Sequence, residues 1–162
     1  MNKWIYQYPF ASGVLLTTVK TSTADMIVQK YVEQKEMNTR RNMLFSFFGF
    51  SYLGSWQYYL YNHLFEKHLK TPFAKVFVDQ CIHHPFLYFP FFYGLKSIVY
   101  QKPISSAITE YKNNIIHDIL SCWSIWVPAQ YINFKYILIP YRIPFVCTVS
   151  FLWTGFLSWK RS

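Results

Sequence analysis

The chain has 162 residues, 52% of them hydrophobic and 22% aromatic but only 14% charged, with a net charge of +9. That length suits a single domain, and charge falls well below the ~25% of an ordinary soluble domain. The basic residues are scattered over ends and connections without forming a stripe, which argues against nucleic acid and for Lys and Arg beside anionic membrane lipid.

A mean hydropathy of +0.09 is low for a membrane protein. However, 14 Tyr and 6 Trp lower it while suiting the lipid–water interface. Taken in chain order, "MNKWIYQYPF" has neither a secretory apolar core nor an Arg-rich presequence, so targeting is expected to be internal. The first span is expected at about 10–32. It is polar for a span, holding Lys20 and Asp25, but Thr18, Thr21, Ser22, Asp25 and Gln29 recur at steps of three and four on one helix face. Val14, Leu15 and Val19 are expected on the opposite, lipid-facing side. After the charged link "KYVEQKEMNTRRN" the second span, about 43–65, has no charged residue apart from a titratable His63. Beyond "EKHLKTP", which holds His68, the third span at about 73–99 contains "KVFVDQCIHHPFLYFPFFYG". After Pro103 the isoleucines and polar residues of the next link predict an amphipathic helix along the membrane surface. Trp123 and Trp126 then suit an aromatic belt, with Pro128 bending the chain and the Gln130 and Asn133 amides satisfying backbone that the proline frees. The fourth span, about 141–159, carries a small, polar stripe of Cys147, Ser150, Thr154 and Ser158 that lets helices approach closely. The expected fold is therefore all-α: an integral membrane four-helix bundle with an amphipathic surface helix between spans three and four, residues 1–162 forming one membrane domain. Basic residues divide almost evenly between the two sides and select no orientation.

Asp79 is the conspicuous residue, because a carboxylate in a bilayer centre costs about 2.5–3.5 kcal/mol on insertion scales. Lys75, one turn earlier, can answer it, as can Arg142 or Lys20 from other helices. Two readings stay open: a buried polar cluster that fixes helix packing, or a water-accessible path lined by Asp25, Asp79 and Arg142. Asp79 and His83 share an α-helical face, but two ligands fall short of a metal site and His84 is expected to point elsewhere. No metal or cofactor is expected, and His63 and His68 are read as interfacial.

Several blocks together carry a resemblance. Pro9 precedes Asp25 and Gln29; "KVFVDQCIHHP" sets Lys75, Asp79, Gln80 and Pro85 in order; "WSIWVPAQYINFKYILIPYR" sets out Trp126, Pro128, Gln130, Asn133, Phe134 and Arg142; and "FLWTGFLSW" closes the chain. This resembles the Mpv-seventeen family, also called the 22-kDa peroxisomal membrane protein family, over nearly the whole length. The chain departs from the pattern at Phe50-Ser51, where the family has Gly-Pro, at Gln57, where it has tyrosine, and at Pro140, which stands later than the usual proline. The resemblance implies a four-span protein of the mitochondrial inner membrane, or alternatively of the peroxisome, in a family some of whose members are described as small-solute channels.

Cys81, Cys122 and Cys147 are widely spaced, odd in number and without a CxxC pair, so neither a disulfide framework nor a thiolate zinc site is indicated. No GxSxG, HExxH, GxGxxG or P-loop motif occurs, and an enzyme is not expected. Two functions compete: a narrow path for small solutes, or a non-catalytic accessory subunit of a large inner-membrane complex such as the respiratory chain or ATP synthase. The candidate lining or packing residues are Asp25, Gln29, Lys75, Asp79, Gln80, Gln130, Asn133 and Arg142. Expected partners are membrane lipids and a larger complex or further copies of the chain.

Overall fold

Proline and capping residues set where the long helices begin. In the computed structural model, which describes the backbone of residues 3–161 and the side chains of residues 3–151, a short helix α1 (Lys3–Gln7) leads into α2, residues 9–32. Pro9 opens α2 where its missing N–H is no loss. From Val28 to Val32 the winding widens to i→i+5 bonding, closed by Glu33 N–H on the Val28 carbonyl at 2.9 Å. Asn38 caps α3, residues 39–68, by accepting the Arg41 N–H at 3.0 Å. Thr71 caps α4, residues 72–99, with Pro72 in the first turn. Then follow α5 (Ile104–Tyr136), a 3-10 turn (Ile139–Tyr141) and α6 (Arg142–Arg161). Gln34 and Gln101 take left-handed φ values of 52° and 54° where the chain leaves α2 and α4.

All described secondary structure is helical. The expected surface helix and the Trp…Gln…Asn-Phe block are not separate: both lie on α5, a single helix of 33 residues. Among the described residues, no helix is long and apolar enough by mean hydropathy to cross a membrane. Thr154 and Ser158, half of the expected stripe on the fourth segment, lie outside the described side chains.

The chain divides into two compact units, Met1–His68 with Tyr136–Ser162, and Leu69–Lys135. In the first, α2 and α3 meet almost backbone to backbone. A Cβ on Gly49 would stand 2.0 Å from Thr21 Oγ1 and 2.7 Å from the Thr17 carbonyl oxygen; one on Gly54 would stand 2.8 Å from Val14 Cα. Thr17 Oγ1 uses this closeness to donate to the Gly49 carbonyl at 2.9 Å. The approach also corrects one expectation. Val14 is buried under Gly54 and does not face outward, whereas Leu15 and Val19 are exposed as expected. Against α6, Lys20 Nζ donates to Ser150 Oγ at 2.7 Å and Cys147 Sγ donates to the Leu16 carbonyl at 3.6 Å. In the second unit, α4 and α5 are held apart by large side chains: Phe89, Tyr93 and Ala107 form a core on which Tyr88, Tyr111, Ile115, Ile119 and Cys122 pack.

Candidate functional site

The site in the second unit starts from two prolines. Through Asp79–Tyr88 the helix α4 is wound wide, and Phe89 N–H closes on the His84 carbonyl five residues back. In that pattern Pro85 leaves the Gln80 carbonyl without its backbone donor, and Pro90 does the same to the Pro85 carbonyl. Helix α5 answers both. Trp123 Nε1 donates to the Gln80 carbonyl at 3.2 Å, and Tyr111 Oη donates to the Pro85 carbonyl at 2.9 Å. An unpaired carbonyl in an apolar interior is costly, so these two side chains fix the register of α5 against α4.

The same winding gathers the polar residues. In an α-helix only i+3 and i+4 stand over residue i; with i→i+5 closure, i+4 and i+5 both do. His83 Nδ1 lies 2.9 Å from Asp79 Oδ1, and His84 Nδ1 lies 2.8 Å from the Asp79 carbonyl oxygen and 3.7 Å from Oδ1. His84 therefore joins Asp79, contrary to the expectation from α-helical spacing. The second carboxylate oxygen accepts from Gln80 Nε2 at 2.8 Å and from Gln130 Nε2 at 3.0 Å. Asn133 Nδ2 in turn donates to Gln130 Oε1 at 2.9 Å. The two α5 amides thus serve a side-chain network, and Gln130 reaches Asp79 in place of the backbone near Pro128. Cys122 Sγ lies 3.7 Å from Gln80 Oε1. Asp79 and Asn133 are 0% exposed, and Lys75 is buried one turn before Asp79 on α4.

Asp25 and Gln29 belong to the first unit and are buried there with a different set of partners. Arg41 Nε donates to Asp25 Oδ1 at 2.8 Å, Gln29 Nε2 to Oδ2 at 2.7 Å, and Asn42 Nδ2 to Oδ2 at 3.3 Å. The Arg41 guanidinium also bridges to Glu33 at 2.8 Å. Gln29 Oε1 accepts the Asn38 N–H at 2.5 Å, which ties the end of α2 to the start of α3. Arg142, buried in the same unit, donates to the Tyr61 carbonyl at 3.2 Å and pairs with Glu66. Of the eight candidates, Asp79, Gln80, Gln130 and Asn133 form one network, Asp25 and Gln29 another, Arg142 stands with Glu66, and Lys75 is buried on α4 one turn before Asp79.

Sequence reasoning passed over Arg41, Asn42, Glu66, Trp123 as a donor, Tyr111 and Gly49. Arg41 sits in a link that reads as solvated charge, and Gly49 in a run that reads as lipid-facing. Asn42 did carry a signal, because it lies beside Arg41 at the helix start where the polar stripe of α2 ends.

The comparisons with known proteins bear on the whole chain. The sequence profile described as the Mpv17 / PMP22 family matches residues 97–158. Protein SYM1 of Kluyveromyces lactis is 30% identical over 164 residues, covering 95% of this chain and 84% of the relative. The mitochondrial inner membrane protein Mpv17 of Danio rerio is 22% identical over 96% of this chain and 92% of its own length. The peroxisomal membrane protein PMP22 of Arabidopsis thaliana is 23% identical over 95% and 84%. No solved structure matches. The expected localisation, the mitochondrial inner membrane with the peroxisomal membrane as the alternative, agrees with the descriptions of these relatives. On this breadth of likeness, the chain belongs to the Mpv17 / PMP22 family.

Proposed function

We propose that this protein is a non-catalytic four-span protein of the mitochondrial inner membrane whose polar interior gives small solutes a narrow path. The observation that carries the reading is an inversion of polarity. Among the described residues, buried polar side chains outnumber buried apolar ones, and Leu15, Val19, Phe47, Phe50, Phe77 and Phe86 are among the many large apolar groups left outside. Such an exterior suits hydrocarbon and not water. The same inversion accounts for the modest hydropathy of each helix, because the polar residues that lower it point inward. The four long segments at residues 9–32, 39–68, 72–99 and Arg142–Arg161 are the proposed spans. At about 1.5 Å per residue, each is about 30 Å long or more.

Purified protein in planar bilayers is expected to pass small ions, with Asp25→Asn combined with Asp79→Asn shifting the reversal potential away from cations. Bilayers that stay silent across repeated reconstitutions sink this reading. The completeness of the hydrogen bonding around Asp79 favours a second reading, in which the seam is dry and the chain is an accessory subunit of a larger inner-membrane assembly. Native electrophoresis of mildly solubilised membranes separates the two, since a subunit migrates with its complex. An even number of spans puts both ends on one side, so cysteines at positions 2 and 162 are expected to label from the same side of the membrane.

A further inference from the structure

The Asp79 cluster has a property that neither a solute path nor a packing seam requires. Its three titratable members, Asp79, His83 and His84, are all buried, and one potential ligand atom from each lies within 4.8 Å of the others. We propose that these three side chains form a binding site for one divalent transition-metal ion of zinc's ligand preference. This assignment goes beyond the proposed path and does not depend on whether the interior conducts.

Four observations carry it. The first is spacing. An ion about 2.0–2.2 Å from nitrogen and carboxylate donors holds them about 3–3.5 Å apart. The contacts to Asp79 Oδ1, 2.9 Å from His83 Nδ1 and 3.7 Å from His84 Nδ1, bracket that range, so small side-chain rotations close the set. The second is the orientation of the rings. Both Nδ1 atoms are turned to Asp79, that of His83 toward the carboxylate and that of His84 toward the carbonyl oxygen, so the nitrogens counted in the spacing are the ones an ion would take. The ion takes the place of the proton shared between His83 Nδ1 and Asp79, since binding requires deprotonated ligand atoms. The third is the support behind the carboxylate: Gln80 and Gln130 both donate to Oδ2, which fixes the group and leaves Oδ1 on the histidine side. The fourth is the backbone. The wide winding at Asp79–Tyr88 places residues i, i+4 and i+5 together, and among the widely wound stretches of the described residues this is the one that gathers a carboxylate and two imidazoles.

The donor set names the class of ion. Two imidazole nitrogens and one carboxylate oxygen suit Zn²⁺ or Fe²⁺, whereas Ca²⁺ and Mg²⁺ take oxygen ligands. Three protein ligands leave a fourth position for water. Asn133 Oδ1, completely buried and without a donor among the described residues, is an acceptor within the same network that such a water can use.

The test uses the full chain in detergent, stripped with chelator and titrated with Zn²⁺ and, for its visible spectrum, with Co²⁺. Expected are one ion per chain, a raised melting temperature, and saturable binding that is lost in both His83→Gln and His84→Gln. Binding should persist in His63→Gln, whose ring is exposed elsewhere. If the histidine variants fail to fold, X-ray absorption of the zinc-loaded wild type decides. A shell with two imidazoles supports the site, and any other shell overturns it. Absence of saturable binding in the wild type, or binding unmoved by both histidine substitutions, also overturns it. None of these readouts involves solute flux, so failure of the metal site and failure of the path are distinguishable.

Discussion

Two buried carboxylates in this protein are stabilised in opposite ways. Asp25 is held by a formal cation, Arg41, which Glu33 shares, and the two neighbouring amides of Gln29 and Asn42 complete its shell. Asp79 is held in the second unit by imidazoles and amides: His83, Gln80 and Gln130 on its carboxylate, and His84 on its own carbonyl. The helices around them differ in parallel. Those of the first unit touch through Gly49 and Gly54, while those of the second stand off on Phe89, Tyr93 and Tyr111 and are joined by side-chain hydrogen bonds to backbone. Charge pairing accompanies close backbone contact in one unit, and directional hydrogen bonding bridges a wider gap in the other.

The contrast is sharpest at the two aspartates. Asp79→Leu strands several buried donors at once, each worth about 1–3 kcal/mol when left unmet, so a loss of about 3–5 kcal/mol is expected. Asp25→Asn leaves Arg41 its bond to Glu33 and keeps an acceptor at the site, so about 1–2 kcal/mol is expected. Thermal unfolding of both variants in detergent measures the difference. Equal losses would show that the partner chemistry is irrelevant and break the comparison. Gly49→Ala ranks between them at about 1–3 kcal/mol, because its Cβ meets a backbone oxygen that cannot rotate away as the Thr21 hydroxyl can. An alanine at Gly94, which has nothing within 4 Å of the added atom, serves as the control and should be neutral or slightly stabilising.

Residue pattern made some of this legible, and the reasons are specific. The polar face of α2 follows 3.6-residue periodicity, so burial of Thr21, Asp25 and Gln29 could be read from spacing alone. The long helices follow from apolar length, proline and caps. Burial of Val14 could not be read, because it depends on Gly54 of another helix. The membership of His84 was hidden because α-helical spacing is the wrong ruler where two prolines sit five residues apart. Arg41 was hidden because a link residue shows its partner only once α2 and α3 are paired. Local periodicity carried the elements, whereas the partners of the buried charges depend on long-range approach and on winding that departs from the α-helix.

The joint between α4 and α5 offers a smaller test with an internal rescue. Trp123→Phe removes the donor to the Gln80 carbonyl while keeping most of the aromatic bulk, and about 1–2 kcal/mol of stability should be lost. If the indole matters because Pro85 left that carbonyl unmet, then adding Pro85→Ala restores a backbone N–H and recovers part of the loss. Tyr111→Phe with Pro90→Ala makes the same cycle one turn later. Strictly additive losses in both cycles would mean that the side chains only pack.

The smallest expected effect is an exposed counterpart of the Asp25 pair, at the turn where α4 passes into α5. Glu110 accepts from Lys96 Nζ at 2.7 Å and from Lys102 Nζ at 3.2 Å. The hydrogen bond from Lys96, and then that from Lys102, hold its carboxyl below the usual glutamate range. A carboxylate whose folded pKa is depressed adds stability that is fully present above the unfolded value, about 4.3, and lost as pH falls through the folded value. The contribution should therefore be constant at neutral pH and fade only in the acid range. Glu110→Gln is expected to lower the melting temperature slightly at pH 7 and to flatten the acid limb of its pH profile. Because the side chains of Lys96 and Lys102 are 40% and 53% exposed, the difference at pH 7 should also shrink as salt is raised. The Asp25–Arg41 pair, with side chains only 3% and 11% exposed, should keep its effect at the same salt concentrations. A Glu110 variant whose defect ignored salt would mean that this pair is shielded from solvent, and that burial alone does not set the two kinds of ion pair apart.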